Sequence, residues 1–191
     1  MFIRTERLFL RPVWPEDWQE LKAAIADERV VRNLARAPWP YTDADAQAFV
    51  ALPQDRLFPR FLTTVPGARG SRIVGGIGLM SEQGRAEIGY WLAPDAWGRG
   101  YATEAASAVL RLARTLGHRC VGAWHFLDNP ASGRVLEKIG LRGTGLVTER
   151  SSLGRTAPAP SRECVVRFTG SSDCDDGSTP EDGLEPGMRA A

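Results

Sequence analysis

The spacing of apolar residues along the chain changes several times, and each change marks an element. Arg7-Leu8-Phe9-Leu10-Arg11 alternates as a strand does, and Pro12 stops it. Pro15-Glu16-Asp17-Trp18 opens a helix expected to reach residue 26, with proline and acids in the first turn, where a missing N–H and the helix dipole favour them. A short helix over 28–35 follows, and Thr42-Asp43-Ala44-Asp45 begins another reaching residue 52. Strand-like runs cover 60–65, 72–80 and 85–93, the last two joined by Glu82-Gln83-Gly84, short enough for a hairpin. The period then lengthens. Ala102, Ala105, Val109, Leu112, Ala113 and Leu116 recur at helical spacing until Gly117 closes the helix. Residues 120–126 read as a buried strand. Asn129-Pro130 is an N-cap and first-turn pair, opening a helix that buries Val135, Leu136 and Ile139 and ends at Gly140. Strands over 143–150 and 162–168, separated by a proline-rich loop at 157–161, complete the order β-α-α-β-β-β-α-β-α-β-β. That is an α+β order built on one sheet.

Composition adds a boundary. Residues 169–191 are rich in Gly, Ser, Pro and Asp and hold six acids against one Arg. Such a segment buries too little to offset its ordering entropy, so the sequence divides into a single domain over 1–168 and a disordered acidic tail over 169–191. The chain of 191 residues is 43% hydrophobic, 25% charged and carries a net charge of +1. That balance gives no sign of a nucleic-acid or membrane partner. The positive residues are 22 Arg and two Lys, a bias spread along the whole chain that reads as coding composition rather than as phosphate recognition. No apolar run approaches a membrane span, and the first residues have no apolar stretch of the kind a signal peptide needs. Cys120, Cys164 and Cys174 are odd in number and irregularly spaced, with only His118 and His125 beside them, so neither a disulfide framework nor a zinc site is expected. Cys120 reads as small apolar filling, and the expected location is the cytoplasm.

The chemistry concentrates in residues 86–105. A strand runs into Trp97-Gly98-Arg99-Gly100-Tyr101, a tight Gly-x-Gly turn that opens a helix. Glycine permits backbone angles and close approach that a Cβ forbids, and the free N–H groups at the start of the helix make a ready anion site. There is no Gly-x-x-x-x-Gly-Lys-Ser/Thr, and Thr103 stands where Gly-x-Gly-x-x-Gly needs its third glycine. A P-loop is thereby excluded and a Rossmann site is not expected, which leaves an anion-binding turn or a Gly-rich strand-to-helix turn that binds nothing.

Further blocks lie on either side: Thr5-Glu6-Arg7-Leu8-Phe9-Leu10-Arg11-Pro12, Ile73-Val74-Gly75-Gly76-Ile77-Gly78, and Asp128-Asn129-Pro130-Ala131-Ser132 followed by Val135-Leu136-Glu137-Lys138-Ile139-Gly140-Leu141. In order and spacing these resemble the GNAT superfamily of acyl-CoA-dependent N-acetyltransferases, within it the branch of Rim-type ribosomal-protein N-acetyltransferases, over roughly residues 4–168. The resemblance implies a mixed, mostly antiparallel sheet with a splayed central strand pair and flanking helices. It implies transfer of an acetyl group from acetyl-CoA directly to a primary amine, either a protein N-terminus or a small molecule, with no metal and no covalent enzyme intermediate. A non-catalytic acyl-CoA-binding or partner-binding module on the same fold is the alternative. The implied assembly is a monomer or homodimer.

The resemblance also distributes roles. A bulge near Tyr90 and Trp91 would splay the strand. The backbone of Trp91, Leu92 and Ala93 would pair with the pantetheine arm, and Trp97, Gly98, Arg99, Gly100, Tyr101, Ala102 and Thr103 would hold the pyrophosphate. Asp95 departs from the superfamily pattern, which has Gln or Arg there, and is expected to point outward. Asn129 would contact the cofactor arm, cap its helix, or both. Ser132 would protonate the departing thiolate or bond locally at the helix start. Glu87 is the candidate general base, unless it is a solvent-facing carboxylate paired with Arg85 or Arg72. His125 reads as a core or pocket-wall histidine, and Trp14, Trp18 and Trp39 as packing residues. The segments 29–41 and 151–161, where an acceptor would enter, carry no readable signal.

Overall fold

The computed structural model describes residues 1–67, 70–82 and 84–168; the tail expected from residue 169 lies outside the described residues. Among them, eight strands form one sheet in the order β1-β2-β3-β4-β5-β6-β8-β7. Ile3–Arg4 (β1), Phe9–Arg11 (β2), Arg60–Gly67 (β3), Gly70–Glu82 (β4) and Arg85–Leu92 (β5) form an antiparallel meander. Cys120–Phe126 (β6) lies parallel to β5, and Arg142–Arg150 (β7) and Ala159–Arg167 (β8) return antiparallel beyond it.

Helices cover both faces. On one, Tyr101–Thr115 (α4) packs on β4, β5 and β6, and Pro130–Lys138 (α5) packs on β6. They close a core of Leu10, Phe61, Leu79, Ile88, Val109, Val121, Leu136 and Leu141. On the other, Trp18–Ile25 (α1), Glu28–Val31 (α2) and Asp43–Ala51 (α3) enclose Leu21, Val31, Leu62 and Ile73, with α1 lying on β4 and β5. Among the described residues no helix is long and apolar enough to cross a membrane.

The helix boundaries come from the local signals. Thr42 and Asp45 cap each other, the Thr42 N–H reaching the Asp45 carboxylate at 2.8 Å and the Asp45 N–H reaching the Thr42 hydroxyl at 3.3 Å. At the end of α4, Gly117 turns to φ +89° and lets the His118 N–H bond the Ala113 carbonyl at 3.1 Å, which satisfies an end carbonyl.

Two expectations are corrected. The proline-rich segment ends as strand, because Ala159 and Pro160 pair with β7. The ladder with β6 begins only at Ser161, so the N–H that Pro160 lacks is not needed there. Among the described residues Cys164 is a buried free thiol. No bulge interrupts β5: its register with β4 runs unbroken from Glu82↔Arg85 to Gly75↔Leu92. Glycines opposite make this possible. A Cβ at Gly76 would stand 2.7 Å from the Trp91 indole nitrogen, so its absence makes room for the ring without an extra residue.

Candidate active site

The expected splay of the central pair is present, between β5 and β6, though without the bulge. Among the described residues, β5 and β6 pair only at Ala86↔Val121 and Glu87↔Gly122, and beyond these the strands part. The phase of the antiparallel ladder decides which backbone groups face the gap. The Ala93 N–H bonds the Val74 carbonyl at 2.9 Å, so Ala93 and, two residues back, Trp91 direct their amides to β4. Leu92 and Tyr90 turn theirs toward the gap. The Leu92 carbonyl accepts the Trp97 indole N–H at 2.9 Å, which draws Trp97 back over the strand end and leaves the Leu92 N–H for a ligand.

Beyond the strand end, Gly98 and Gly100 both take left-handed angles, φ +72° and +78°. Gly100 stands at the start of α4, and no side chain caps that helix. Its first internal bond runs from the Glu104 N–H to the Gly100 carbonyl at 3.1 Å, so the amides of Tyr101, Ala102 and Thr103 have no helical partner. Their partial positive charge, with the exposed Arg99 beside them, suits an anion. Asp95 is turned to Arg72, 2.6 Å away.

The N-terminal block reaches this turn. Glu104, in the first turn of α4, accepts from the Thr5 hydroxyl at 2.6 Å, the Arg7 N–H at 2.8 Å and Arg7 Nε at 2.7 Å. Arg7 Nη1 donates to the Arg99 carbonyl at 2.9 Å, and the guanidinium lies 5.0 Å from the centre of the Tyr101 ring. Burial acts to raise the Glu104 carboxyl, but these hydrogen bonds outweigh it and hold its pKa below the usual value. Arg7 therefore neutralises an acid that would face any bound anion, and it anchors the turn. The motif was visible in the sequence, but its partner, nearly a hundred residues away, was not.

On the α4–α5 face, Asn129 caps α5, its side-chain oxygen accepting from the Ser132 N–H at 3.3 Å. Half-buried Ser132 places Oγ 2.9 Å from the Tyr90 hydroxyl, which also lies 3.1 Å from the Ser132 carbonyl. Burial pushes the Tyr90 phenol up to about 12, so it stays protonated. The Tyr90 hydroxyl has one hydrogen, which can go to the Ser132 carbonyl or to Oγ. When Tyr90 donates to Ser132 Oγ, the serine hydrogen is free to point elsewhere. His125 is half-buried against the first turn of α5, where a Cβ on Gly133 would come within 2.9 Å of its ring.

Glu87 stands where the strands begin to part, on the face that bears α1–α3. Neither arginine weighed as its partner holds it: Arg85 pairs with Glu163 at 2.6 Å and Arg72 with Asp95. Glu87 Oε1 instead accepts the Trp124 indole N–H at 2.9 Å from β6. Burial raises its pKa against the opposing pull of that hydrogen bond and of the Arg150 charge. A carboxylate so placed can take a proton near neutral pH more readily than an exposed one.

The two segments that carried no signal are tied together. Arg155 donates to the Arg32 carbonyl at 2.7 Å, holds Asp128 at 2.8 and 2.9 Å, and stacks 4.0 Å over Phe126. Ser152 Oγ donates to the Leu34 carbonyl at 2.6 Å, and the Leu153 N–H to that of Ala35 at 3.2 Å. The β7–β8 loop thus locks onto the chain after α2, next to the residue that precedes Asn129.

Residues 7–142 match the family model described as the acetyltransferase (GNAT) domain. The chain belongs to the GNAT acetyltransferase family. Among its relatives, the uncharacterized N-acetyltransferase YoaA of Bacillus subtilis is 30% identical over 154 residues, covering 77% of this chain and 86% of its own. The crystal structure of a GNAT-family acetyltransferase from Bacillus anthracis is similar with a TM-score of 0.74 and 26% identity, over 87% of this chain and 98% of that one. RimL, a ribosomal L7/L12 α-N-protein acetyltransferase solved in complex with coenzyme A, shares the fold at TM-score 0.73 and 17% identity, over 88% of this chain and 98% of its own.

Were Glu87 the base of this acetyltransferase, its surroundings would set a pH dependence. A base works deprotonated, so activity should fall as pH drops through the raised Glu87 pKa, and that acid limb should lie above the usual carboxylate range. Trp124→Phe removes a hydrogen bond that lowers the pKa, so it should move the limb to higher pH. A profile of kcat/KM against pH checks both.

Proposed function

We propose that this chain transfers an acetyl group from acetyl-CoA directly to a primary amine, of a protein N-terminus or a small molecule, without a covalent enzyme intermediate. The observation that carries this reading is an unclosed strand seam with an uncapped anion turn at its mouth. Backbone groups in the seam need partners, and a pantetheine arm brings two amides that can pair as a strand would. The amides of Tyr101, Ala102 and Thr103, with Gly98, Arg99 and Gly100, suit the pyrophosphate. Trp91, Leu92 and Ala93 form the wall, with the Leu92 N–H as the donor available to the arm. Asn129 joins them through the α5 cap, and Trp97 borders the turn.

Acetyl-CoA supplies the acetyl group as a thioester. Glu87, on the α1–α3 face, takes the proton that the amine loses, directly or through water. A seam amide steadies charge on the acetyl oxygen. Ser132, on the opposite face, gives its proton to the departing sulfur, with the Tyr90 hydroxyl beside Oγ to hold it in place. Base and acid flank the seam, so the amine approaches from one face while the thiol is protonated from the other. This arrangement supports transfer over the alternative of a binding module, which has no use for either group.

Titrating acetyl-CoA by calorimetry and following free thiol against small amines and Ala- or Ser-starting peptides tests the reading. Saturable binding with amine-dependent thiol release is the expected outcome; binding without release identifies a module, and absence of binding refutes the cofactor assignment. Ser132→Ala should lower kcat about 10²-fold with little change in acetyl-CoA affinity. Arg7→Ala should weaken acetyl-CoA binding about tenfold, and adding Glu104→Gln should restore most of it, because the uncompensated charge is then gone.

A further inference from the structure

We propose that the acceptor amine carries a carboxylate close by, and that Arg150 is the residue that selects it. This rests on the transfer reading above. On the Glu87 face the main packing of α1 among the described residues is on β4 and β5 rather than on β6, β7 or β8. Trp124 stands on this face of β6, beside Gly122, which leaves space next to the Glu87 side chain. The indole N–H binds Glu87, and the Arg150 guanidinium lies 4.1 Å from the centre of the same ring. A carboxylate and a guanidinium therefore share one aromatic floor.

The bordering arginines differ in what they hold. Arg85 pairs with Glu163, Arg155 with Asp128 and Arg36 with Glu82. Half-buried Arg150 has no carboxylate within 4.0 Å among the described residues, and the Trp124 face holds it where a fork of N–H donors remains free. Stacking orients the guanidinium without using its in-plane donors, and those donors match a carboxylate in two places. An acceptor with its amine at Glu87 and an acid one to a few bonds away would meet a complementary charge at each end. A neutral acceptor would meet only the first.

The test compares acceptors that differ only in this charge: peptide amides beginning Asp-Ala against Asn-Ala, Ala-Asp against Ala-Asn, and β-alanine against propylamine. Thiol release is measured above the acid limb of Glu87. Wild-type protein should favour the acidic member of at least one pair by about tenfold in kcat/KM. Arg150→Gln should bring that ratio close to one, and Arg150→Glu should reverse it. Preference confined to the peptides or to β-alanine supports the proposal and identifies the source of the acid. Equal turnover within every wild-type pair overturns it, as does a ratio that survives Arg150→Gln in protein with an unchanged melting temperature. Thiol release with no amine at all would instead refute the transfer reading.

Discussion

Two parallel strands side by side ordinarily share a hydrogen-bond ladder along their length; here β5 and β6 share two pairs and then separate. Each is bound more strongly on its outer side, β5 to β4 over eight residue pairs and β6 to β8 over seven. The separation is thus held open from both flanks, while α4 packs on both strands and keeps the halves in one sheet. An open seam exposes backbone amides within an otherwise paired sheet, and such groups create a demand for a ligand with amides of its own.

The seam also explains how the proposed base and the residue beside the proposed acid are divided. Side chains alternate across a strand, so Glu87 and Tyr90 emerge on opposite faces of β5. Each meets a different element: Glu87 meets Trp124 of β6, and Tyr90 meets Ser132 at the start of α5. The loop clip made by Arg155 then joins the acceptor side to the residues just before α5, so the walls of the site are one connected structure.

Several features can be read locally because their physics is local. The Asn129 cap, the left-handed closure at Gly117 and the double-glycine turn at Gly98 and Gly100 each depend on a few neighbouring residues and their backbone angles. The alternation and helical spacing of apolar residues likewise mark which face of each element is buried, and hence an α+β domain with helices on a sheet. Ordered blocks around Arg7, Gly75, Gly98 and Asn129 were enough to point to the GNAT family.

Partnerships across the sheet follow other rules. Glu87 meets Trp124 across 37 positions, Tyr90 meets Ser132 across 42, and Thr5 meets Glu104 across 99. No periodicity encodes these distances, because strand order and the place where β5 and β6 part decide them. The missing bulge teaches the same lesson: β5 alone suggests a strand that must break step, whereas Gly76 on the neighbouring strand removes the need. Local patterning settles which elements form and which faces they bury. The surroundings of each candidate site residue are settled by the sheet, because only folding brings residues from distant strands within hydrogen-bond range.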